Sequence, residues 1–258
     1  MTDTLPVAVI QYQPLAGGIT VNAAEHVRLI EDADDHGARL VVFPELSLTG
    51  YRLDLLNASN AWLFPDDERL GDVREICRRT GITAVVGAAF RESDGTPRLA
   101  SLALHPDGSA ETAFKSNLRG QEQELFVRGR GVTLMDLDGW RIALCFDGTV
   151  PAHATEAAAA GVDVYCLSAL YTVEGEHRLD LHLGARAMEN RMFTLLANLG
   201  GTSSLGESCG QSGLWGPDGY LLKQAAGTGT EVVPCILQRS RLENYRRQTN
   251  SAAGETTI

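Results

Sequence analysis

The feature of this sequence that most constrains its fold is a series of short apolar runs, each closed by glycine, proline or a polar residue. Short apolar runs bounded by turn residues are typical of buried strands. The runs are Pro6–Tyr12, Leu40–Phe43, Ile82–Phe90, Ile142–Leu144 and Val162–Ser168. Amphipathic segments separate several of these runs, so the pattern predicts an α/β protein whose sheets are covered by helices.

Helices and hairpins are predicted between these strands. Helices are expected from a cap at Asn22 to about Asp35, over Asp66–Thr80, over Ala154–Ala160 and from about Arg178 to Met192. Further strands are expected over Leu99–His105, Glu111–Lys115, Phe193–Asn198, Gly213–Trp215, Tyr220–Lys223 and Glu231–Leu237. Loops are expected over Ser116–Gly131 and Tyr171–His177, and a loose tail from about Asn250. The sequence shows no repeat or linker, so we expect residues 1–258 to form one domain.

Composition restricts the class of partner. The net charge of −11 argues against nucleic acid. The five cysteines form no Cys-x-x-Cys pair, which argues against a zinc knuckle or a thioredoxin-type site and is typical of a reducing compartment. Neither a basic-then-apolar leader nor an apolar run of membrane-spanning length is present. We therefore expect a cytoplasmic protein that acts on a small molecule, without a membrane partner.

Three chemically capable side chains stand where predicted strands stop. Glu45 follows one strand, Lys115 ends another, and Cys145 ends a third. Strand ends in layered α/β folds collect at one rim, where sites form, and a thiol there is well placed to be a nucleophile. Each residue also has a structural interpretation: a loop carboxylate, a solvated edge-strand lysine and a small buried hydrophobe. The residues alone leave both interpretations open.

Five motifs in order resemble those of the nitrilase superfamily, the carbon–nitrogen hydrolases. The segment from Phe43 to Tyr51 (FPELSLTGY) resembles the glutamate motif of that superfamily. Phe114-Lys115-x-x-Leu118, followed by Glu122, Phe126 and Gly129, is similar to its lysine motif, and Ala143–Asp147 with Pro151 to its cysteine motif. Ala185–Asn190 resembles a helix signature, and Gly210-x-Ser212 with Pro217-x-Gly219 a late hairpin. The resemblance covers about residues 6 to 240.

The resemblance implies a four-layer α-β-β-α sandwich, homo-oligomers that pair their sandwiches, and a Glu-Lys-Cys triad. Carried onto this chain, Glu45 is the general base, Lys115 the electrostatic stabiliser and Cys145 the nucleophile. Glu122 corresponds to an additional glutamate that orients the triad or the substrate. The backbone N–H of Phe146 would join Lys115 in holding the oxyanion, and no metal or organic cofactor is required.

The sequence departs from the family pattern after the nucleophile. The family usually carries Pro-Glu there and an Arg three residues after that Glu, whereas this chain has Ala152 and Thr155. Both members of an ion pair that the family pattern implies are absent together, which leaves no orphan charge. The family's frequent His in the lysine motif is Asn117. True nitrilases of the superfamily tend to have Trp-Glu where this chain has Phe146-Asp147, so the sequence favours amide over nitrile hydrolysis.

The expected function is hydrolysis of a small linear amide to an acid and ammonia through a cysteine thioester. N-carbamoyl hydrolysis, acyl transfer to an amine and a non-catalytic binding role remain as alternatives. Tyr51 and Tyr171 are candidates for substrate contacts, with core packing as the other interpretation. Arg119, Arg128 and Arg130 either meet a substrate carboxylate or are solvated and paired with nearby glutamates.

Overall fold

The computed structural model describes residues 2–146 and 148–254. Within these residues the strands are β1 Thr4–Gln11, β2 Leu40–Val42, β3 Thr83–Arg91, β4 Pro97–Leu104, β5 Ala110–Phe114, β6 Thr133–Leu137, β7 Trp140–Cys145, β8 Val164–Ala169, β9 Phe193–Asn198, β10 Thr202–Ser203, β11 Gly206–Glu207, β12 Gly213–Trp215, β13 Leu221–Gln224 and β14 Glu231–Gln238. The α-helices are α1 Ile19–Asp34, α2 Gly71–Thr80, α3 Glu122–Leu125, α4 Pro151–Ala159, α5 Glu176–Asn190 and α6 Arg239–Gly254. Short 3₁₀ turns cover Leu53–Asn57, Ser59–Ala61, Glu68–Leu70 and Val173–Gly175.

Two six-stranded sheets organise these elements. Their strand orders are β14-β1-β2-β3-β4-β5 and β13-β12-β9-β8-β7-β6. In each sheet three central strands run parallel, β1-β2-β3 in one and β7-β8-β9 in the other, and antiparallel strands flank them. The ends of β2 and β7, which carry the Glu45 and Cys145 segments, therefore belong to the parallel centres of different sheets.

Three apolar clusters separate the layers. The central cluster takes alternate residues from both sheets, among them Val9 and Phe193, and so lies between the sheets. A second cluster packs the other face of the first sheet against α1 and α2, and a third packs the second sheet against α4 and α5. Because strand side chains alternate between faces, each sheet is buried on both sides. The result is the predicted four-layer α-β-β-α sandwich.

Several element boundaries differ from the prediction. Helix α1 begins at Ile19 after Gly18, and Asn22 lies within the helix instead of capping it. The Asn22 side chain is fully buried. Its amide oxygen accepts from the backbone N–H of Leu15, and its amide nitrogen donates to the carbonyl oxygens of Leu15 and Gly18, so these contacts satisfy the buried polar group. Helix α5 starts at Glu176, and the strands β6, β10 and β11 and the short helix α3 were not predicted.

The C-terminal segment shows the largest difference between the predicted and the observed secondary structure. The tail expected to be loose from about Asn250 continues helix α6 as far as Gly254, and residues 255–258 lie outside the described part of the chain. Arg246 of α6 pairs with Asp163 at 2.8 Å, and the Arg239 guanidinium lies 4.1 Å from the centre of the Trp140 ring. These contacts hold a polar helix against the second sheet. Among the described helices, none has the length and apolar character needed to cross a bilayer.

Candidate active site

Glu45 lies in a tight turn after β2, and this turn packs directly against β3. A Cβ added at Gly87 of β3 would lie 2.3 Å from the carbonyl oxygen of Pro44, so glycine is required where the two backbones meet. The Gly87 N–H donates to the Ser47 hydroxyl at 3.1 Å, and that hydroxyl is also hydrogen bonded to Nε2 of His26 at 2.9 Å. The turn, and with it the Glu45 backbone, is therefore fixed from two elements.

Lys115 follows β5 and is fixed by its backbone. Its N–H donates to the Leu99 carbonyl at 2.9 Å, and its carbonyl accepts from Gly129 at 2.8 Å. A Cβ at Gly129 would lie 2.2 Å from the Phe114 carbonyl oxygen, so only glycine lets the long loop return this close to β5. The loop that was predicted over Ser116–Gly131 is thus anchored at both ends, and it carries Glu122 on the short helix α3.

The Lys115 ammonium joins two buried carboxylates. Its Nζ lies 2.8 Å from Oε1 of Glu45 and 2.7 Å from Oε1 of Glu122, and all three residues are at most 6% exposed. Oε1 of Glu122 also accepts from the Tyr51 hydroxyl, and Oε2 accepts from the backbone N–H of Arg119 at 2.8 Å. Glu122 therefore has donors on both oxygens, which compensates for its burial as a charge.

Burial sets the protonation of this cluster. It raises the pKa of Glu45 to about 8, because desolvation and the Glu122 charge outweigh the attraction of Lys115. Burial opposes the charge of Lys115, but the two carboxylates outweigh it and hold the Lys115 pKa above its usual value. Burial and the same carboxylates raise the pKa of Tyr51, which stays a hydrogen-bond donor. The raised pKa brings the proton affinity of Glu45 closer to neutrality than that of an ordinary glutamate, which suits a group that must take a proton and later give it.

Cys145 ends β7 and is 2% exposed. Its thiol donates to the carbonyl oxygen of Cys166, with Sγ 2.8 Å from that oxygen. The side chain packs in the cluster under α4 and α5 together with Ala169, which lines the site described next. The structure thus brings Glu45, Lys115 and Glu122 into direct contact. It places Cys145 at a neighbouring strand end with its thiol directed to the Cys166 carbonyl; Asp147 lies outside the described residues.

A recess of about 150 Å³ opens onto the cluster. It is lined by Glu45, Lys115, Arg119, Phe146, Thr149, Ala169, Leu170, Tyr171, Thr172, Gly175 and Arg178. The residue that follows the cysteine and the candidate contact Tyr171 therefore share one cavity with the carboxylate and the ammonium. Tyr51 does not line this recess; its hydroxyl donates to Oε1 of Glu122, and its contact with substrate stays a prediction. Arg128 and Arg130 are exposed and do not line the recess either.

Buried side chains support the turn after Cys145. Arg186 of α5, 7% exposed, donates from Nε to the Gly148 carbonyl at 3.1 Å and pairs with Glu189 at 2.8 Å.

Ser168, near the end of β8, donates to the Phe43 carbonyl at 2.7 Å and so joins the second sheet to the strand end before Glu45. Sequence reasoning missed Ser168 and His26. For His26 a signal existed, since it lies on the same face of α1 as Ala23 and Ile30.

Comparison with known proteins agrees with the fold. The structure superposes on Nit3 of Saccharomyces cerevisiae, a member of branch 10 of the nitrilase superfamily, with a TM-score of 0.88, 20% identity and coverage of 99% of this chain and 96% of that chain. It superposes on the NitN amidase of Nesterenkonia sp. AN1 with a TM-score of 0.82, 22% identity and coverage of 96% and 99%. The fold is therefore that of the nitrilase superfamily.

Sequence comparison places the chain in a family. A curated nitrilase of Pyrococcus abyssi is 29% identical over 88% of this chain and 87% of its own length. The carbon–nitrogen hydrolase family profile matches residues 6–247. The chain belongs to the carbon–nitrogen hydrolase family.

Proposed function

We propose that this carbon–nitrogen hydrolase is an amidase that converts a small linear amide to a carboxylic acid and ammonia through a thioester on Cys145. The observation that carries the proposal is the buried Lys115 ammonium held between Glu45 and Glu122 at the floor of a recess that Phe146 also lines. That arrangement supplies a proton acceptor and a fixed positive charge beside the strand end that carries the thiol.

The first step is attack of sulfur on the amide carbon. The thiol leaves the Cys166 carbonyl and turns to the recess, and ionised Glu45 takes its proton as the carbon–sulfur bond forms. Glu45 then gives that proton to the amide nitrogen, the carbon–nitrogen bond breaks, and ammonia leaves. A raised pKa suits Glu45 to both directions of transfer, because its proton affinity lies near neutrality.

The tetrahedral intermediate needs donors for its oxyanion. Lys115 and Phe146 line the recess, and the Lys115 ammonium and the Phe146 backbone N–H would supply these donors. Loss of one such donor typically costs about 100- to 1,000-fold in rate. Glu122 and Tyr51 do not face the recess; they hold the ammonium of Lys115 in place through Oε1 of Glu122.

The second half of the reaction releases the carboxylic acid from the thioester. Glu45, again ionised, takes a proton from water as the water oxygen attacks the thioester carbon. The carbon–sulfur bond then breaks, and Glu45 gives the proton it took from water to the departing sulfur, which restores the thiol. The acid keeps one water oxygen, and the enzyme returns to its starting state.

A panel of small primary amides, assayed for ammonia release, tests the proposal. Cys145→Ala should abolish turnover, whereas Cys235→Ala, a matched thiol on β14, should retain it. Release of carbon dioxide with ammonia from an N-carbamoyl compound, or a new amide formed in the presence of an amine, would point to the alternative reactions. Undiminished ammonia release by Cys145→Ala would refute the assignment.

We also propose that the chain works as one domain in the cytoplasm and as a homodimer or higher homo-oligomer. None of the five cysteines, all of which are described, forms a disulfide, which suits a reducing compartment. An exposed apolar patch, here called the α5 patch, consists of Leu181 and Met188 of α5 with Tyr220, which are 70%, 48% and 73% exposed. Large apolar side chains grouped at a surface are typical of interaction sites, and a second copy is the occupant that the family resemblance implies.

A further inference from the structure

A buried histidine that the proposed reaction does not use packs against the turn that carries Glu45. His26 lies on α1 and is fully buried. Its ring is stacked on that of Phe43, with the ring centroids 3.9 Å apart and an angle of 15° between the planes. Its Nε2 atom lies 2.9 Å from the hydroxyl oxygen of Ser47. His26 therefore contacts the chain on both sides of Glu45, at positions 43 and 47.

Burial keeps this imidazole neutral, because desolvation lowers the pKa of His26 to about 3. A neutral imidazole has one N–H donor and one acceptor nitrogen. Nδ1 lies 2.6 Å from the carbonyl oxygen of Asn22, which can only accept, so Nδ1 carries the hydrogen. Nε2 is then the acceptor, and the group that donates to it is the hydroxyl of Ser47.

The hydrogen bonds continue from Ser47 into the first sheet. The Ser47 oxygen accepts from the backbone N–H of Gly87 on β3 at 3.1 Å, while its own hydrogen goes to His26. Each bond thus has one direction, and the series runs from β3 through Ser47 and His26 to α1. Ser47 is fully buried, so bulk water offers no substitute acceptor for its hydroxyl. A buried network whose donors and acceptors all match is rigid, and a mismatch in it is costly.

We propose that His26 and Ser47 are positioning residues, which fix the turn so that the Glu45 carboxylate stays in reach of the reacting atoms. The stacking on Phe43 and the hydrogen bond to Ser47 hold both sides of the turn against α1. Oε1 of Glu45 lies 2.8 Å from Nζ of Lys115. A shift of the turn by about 1 Å would lengthen that contact beyond the range of a hydrogen bond. The inference rests on the proposed function for the role of Glu45 as the base.

Ser47→Ala removes the link between α1 and the turn without adding bulk. Because a displacement of about 1 Å can cost 100-fold in rate, kcat for a small amide should fall by roughly 10- to 100-fold. KM should stay near the wild-type value, since neither Ser47 nor His26 is among the described residues that line the recess. Unchanged kcat in Ser47→Ala would overturn the proposal.

Thr194→Val is the matched control for the loss of a buried hydroxyl. Thr194 lies on β9 in the second sheet, is fully buried, and donates to the carbonyl oxygen of Leu183 at 3.0 Å. Its replacement should lower stability in urea unfolding but keep the wild-type kcat. A loss of kcat in Thr194→Val as large as that in Ser47→Ala would mean that any lost buried hydrogen bond has this effect, and would overturn the positioning role.

Two substitutions of His26 separate positioning from packing. His26→Gln offers an amide oxygen as a new acceptor for the Ser47 hydroxyl, whereas His26→Leu fills space without any acceptor. kcat should therefore be higher in His26→Gln than in His26→Leu, at a temperature where circular dichroism shows both variants folded. A kcat in His26→Leu equal to or above that in His26→Gln would contradict the proposal.

Nitrogen NMR of protein labelled with ¹⁵N-histidine tests the hydrogen-bond directions without any activity. The His26 signal, identified by its loss in His26→Gln, should be that of a neutral ring protonated at Nδ1. Its Nε2 shift should change in Ser47→Ala, because the donor to that nitrogen is gone. A ring protonated at Nε2, or at both nitrogens at neutral pH, would refute the network.

Alkylation of Cys145 by chloroacetamide separates this proposal from the amidase proposal. Sulfur displaces chloride from carbon and Glu45 takes the thiol proton, whether or not the protein turns over an amide. If Ser47→Ala slows this alkylation but the wild type releases no ammonia from any amide, the positioning role stands and the amidase proposal fails. If the wild type releases ammonia and Ser47→Ala matches it in kcat and alkylation rate, the amidase proposal stands and the positioning role fails.

Discussion

The Nζ atom of Lys115 donates a 2.8 Å hydrogen bond to Oε1 of Glu45, although 70 positions separate the two residues in the chain. The contact joins the end of β5 to the turn after β2 within one sheet, with β3 and β4 between them. Because a second carboxylate, Glu122, contacts the same ammonium at 2.7 Å, Lys115 is the charge on which both acidic groups depend.

Replacing Lys115 by methionine should therefore damage both activity and stability. The change keeps the length of the side chain but leaves two buried carboxylates without their cation. Removing one partner of a buried ion pair typically costs about 3–5 kcal/mol, and loss of an oxyanion donor about 100-fold or more in rate. Urea unfolding and kcat/KM measure the two effects.

The only other lysine in the sequence provides the control. Lys223 is exposed on β13, so Lys223→Met should change neither quantity appreciably. Equal stability and activity of the two variants would contradict the importance of the Lys115 contacts.

The sequence predicted the parts of this cluster that depend on strand ends. Apolar runs marked the strands, and the structure ends β7 at Cys145, β5 one residue before Lys115 and β2 three residues before Glu45. The partner of Tyr51 was not predictable, because it depends on how the loop carrying Glu122 folds back between Lys115 and Gly129. The direction of the Cys145 thiol was not predictable either, since the carbonyl of the adjacent strand decides it.

Helix α6 was not predicted from the sequence, for a different physical reason. It has few apolar side chains: Leu242 is buried in the central cluster, and Arg246 adds contacts with Asp163 and the Val162 carbonyl. Periodicity of apolar residues detects helices that bury a continuous apolar face, whereas one buried leucine with ion pairs and hydrogen bonds gives no such pattern.

Activity should rise with pH toward the pKa of Glu45. Only ionised Glu45 accepts the thiol proton, and burial raises its pKa to about 8. The logarithm of kcat/KM for a neutral amide should therefore increase with a slope near one below that pH and level off above it. The apparent pKa belongs to the coupled cluster of Glu45, Lys115 and Glu122. A flat profile between pH 5 and 8 would exclude Glu45 as the base.

Stability should show the opposite dependence on pH. A carboxyl group whose pKa rises on folding, from 4.5 to about 8, binds its proton more tightly in the folded state. Its contribution to stability is complete below pH 4.5 and is lost as pH rises through 8, by about 1.4 kcal/mol per pH unit within that window.

Glu45→Gln should remove this decline. The variant's stability relative to wild type should therefore increase from pH 6.5 to 8, as measured by urea unfolding at each pH. Burial lowers the pKa of His26 to about 3. Below pH 6.5 this residue has the opposite effect on stability, because its stabilising contribution is lost as the pH falls from 6.5 to 3. Parallel stability curves for the wild type and the variant between pH 6.5 and 8 would count against a raised Glu45 pKa.

The α5 patch should hold copies of the chain together. Leu181 is 70% exposed, and an aspartate in its place would bring a charge into an apolar contact between two copies. Light scattering coupled to size-exclusion chromatography should show a smaller species for Leu181→Asp than for wild type. Leu55, 48% exposed on a 3₁₀ turn outside the patch, gives the control variant Leu55→Asp, which should keep the wild-type size. A monomeric wild-type protein would contradict the proposed homo-oligomer.

Gly87 should control the position of the base without touching the substrate. An alanine Cβ there would lie 2.3 Å from the Pro44 carbonyl oxygen and 2.5 Å from the Leu46 nitrogen, both backbone atoms of the turn that carries Glu45. The turn must shift, and a displacement of about 1 Å can cost 100-fold in rate. Gly87→Ala should therefore lower kcat by about that factor while circular dichroism still shows a folded protein. Gly71→Ala is the matched control, because no atom lies within 4 Å of its added Cβ, and it should keep wild-type kcat. Full activity in Gly87→Ala would mean that the turn can yield without moving the carboxylate.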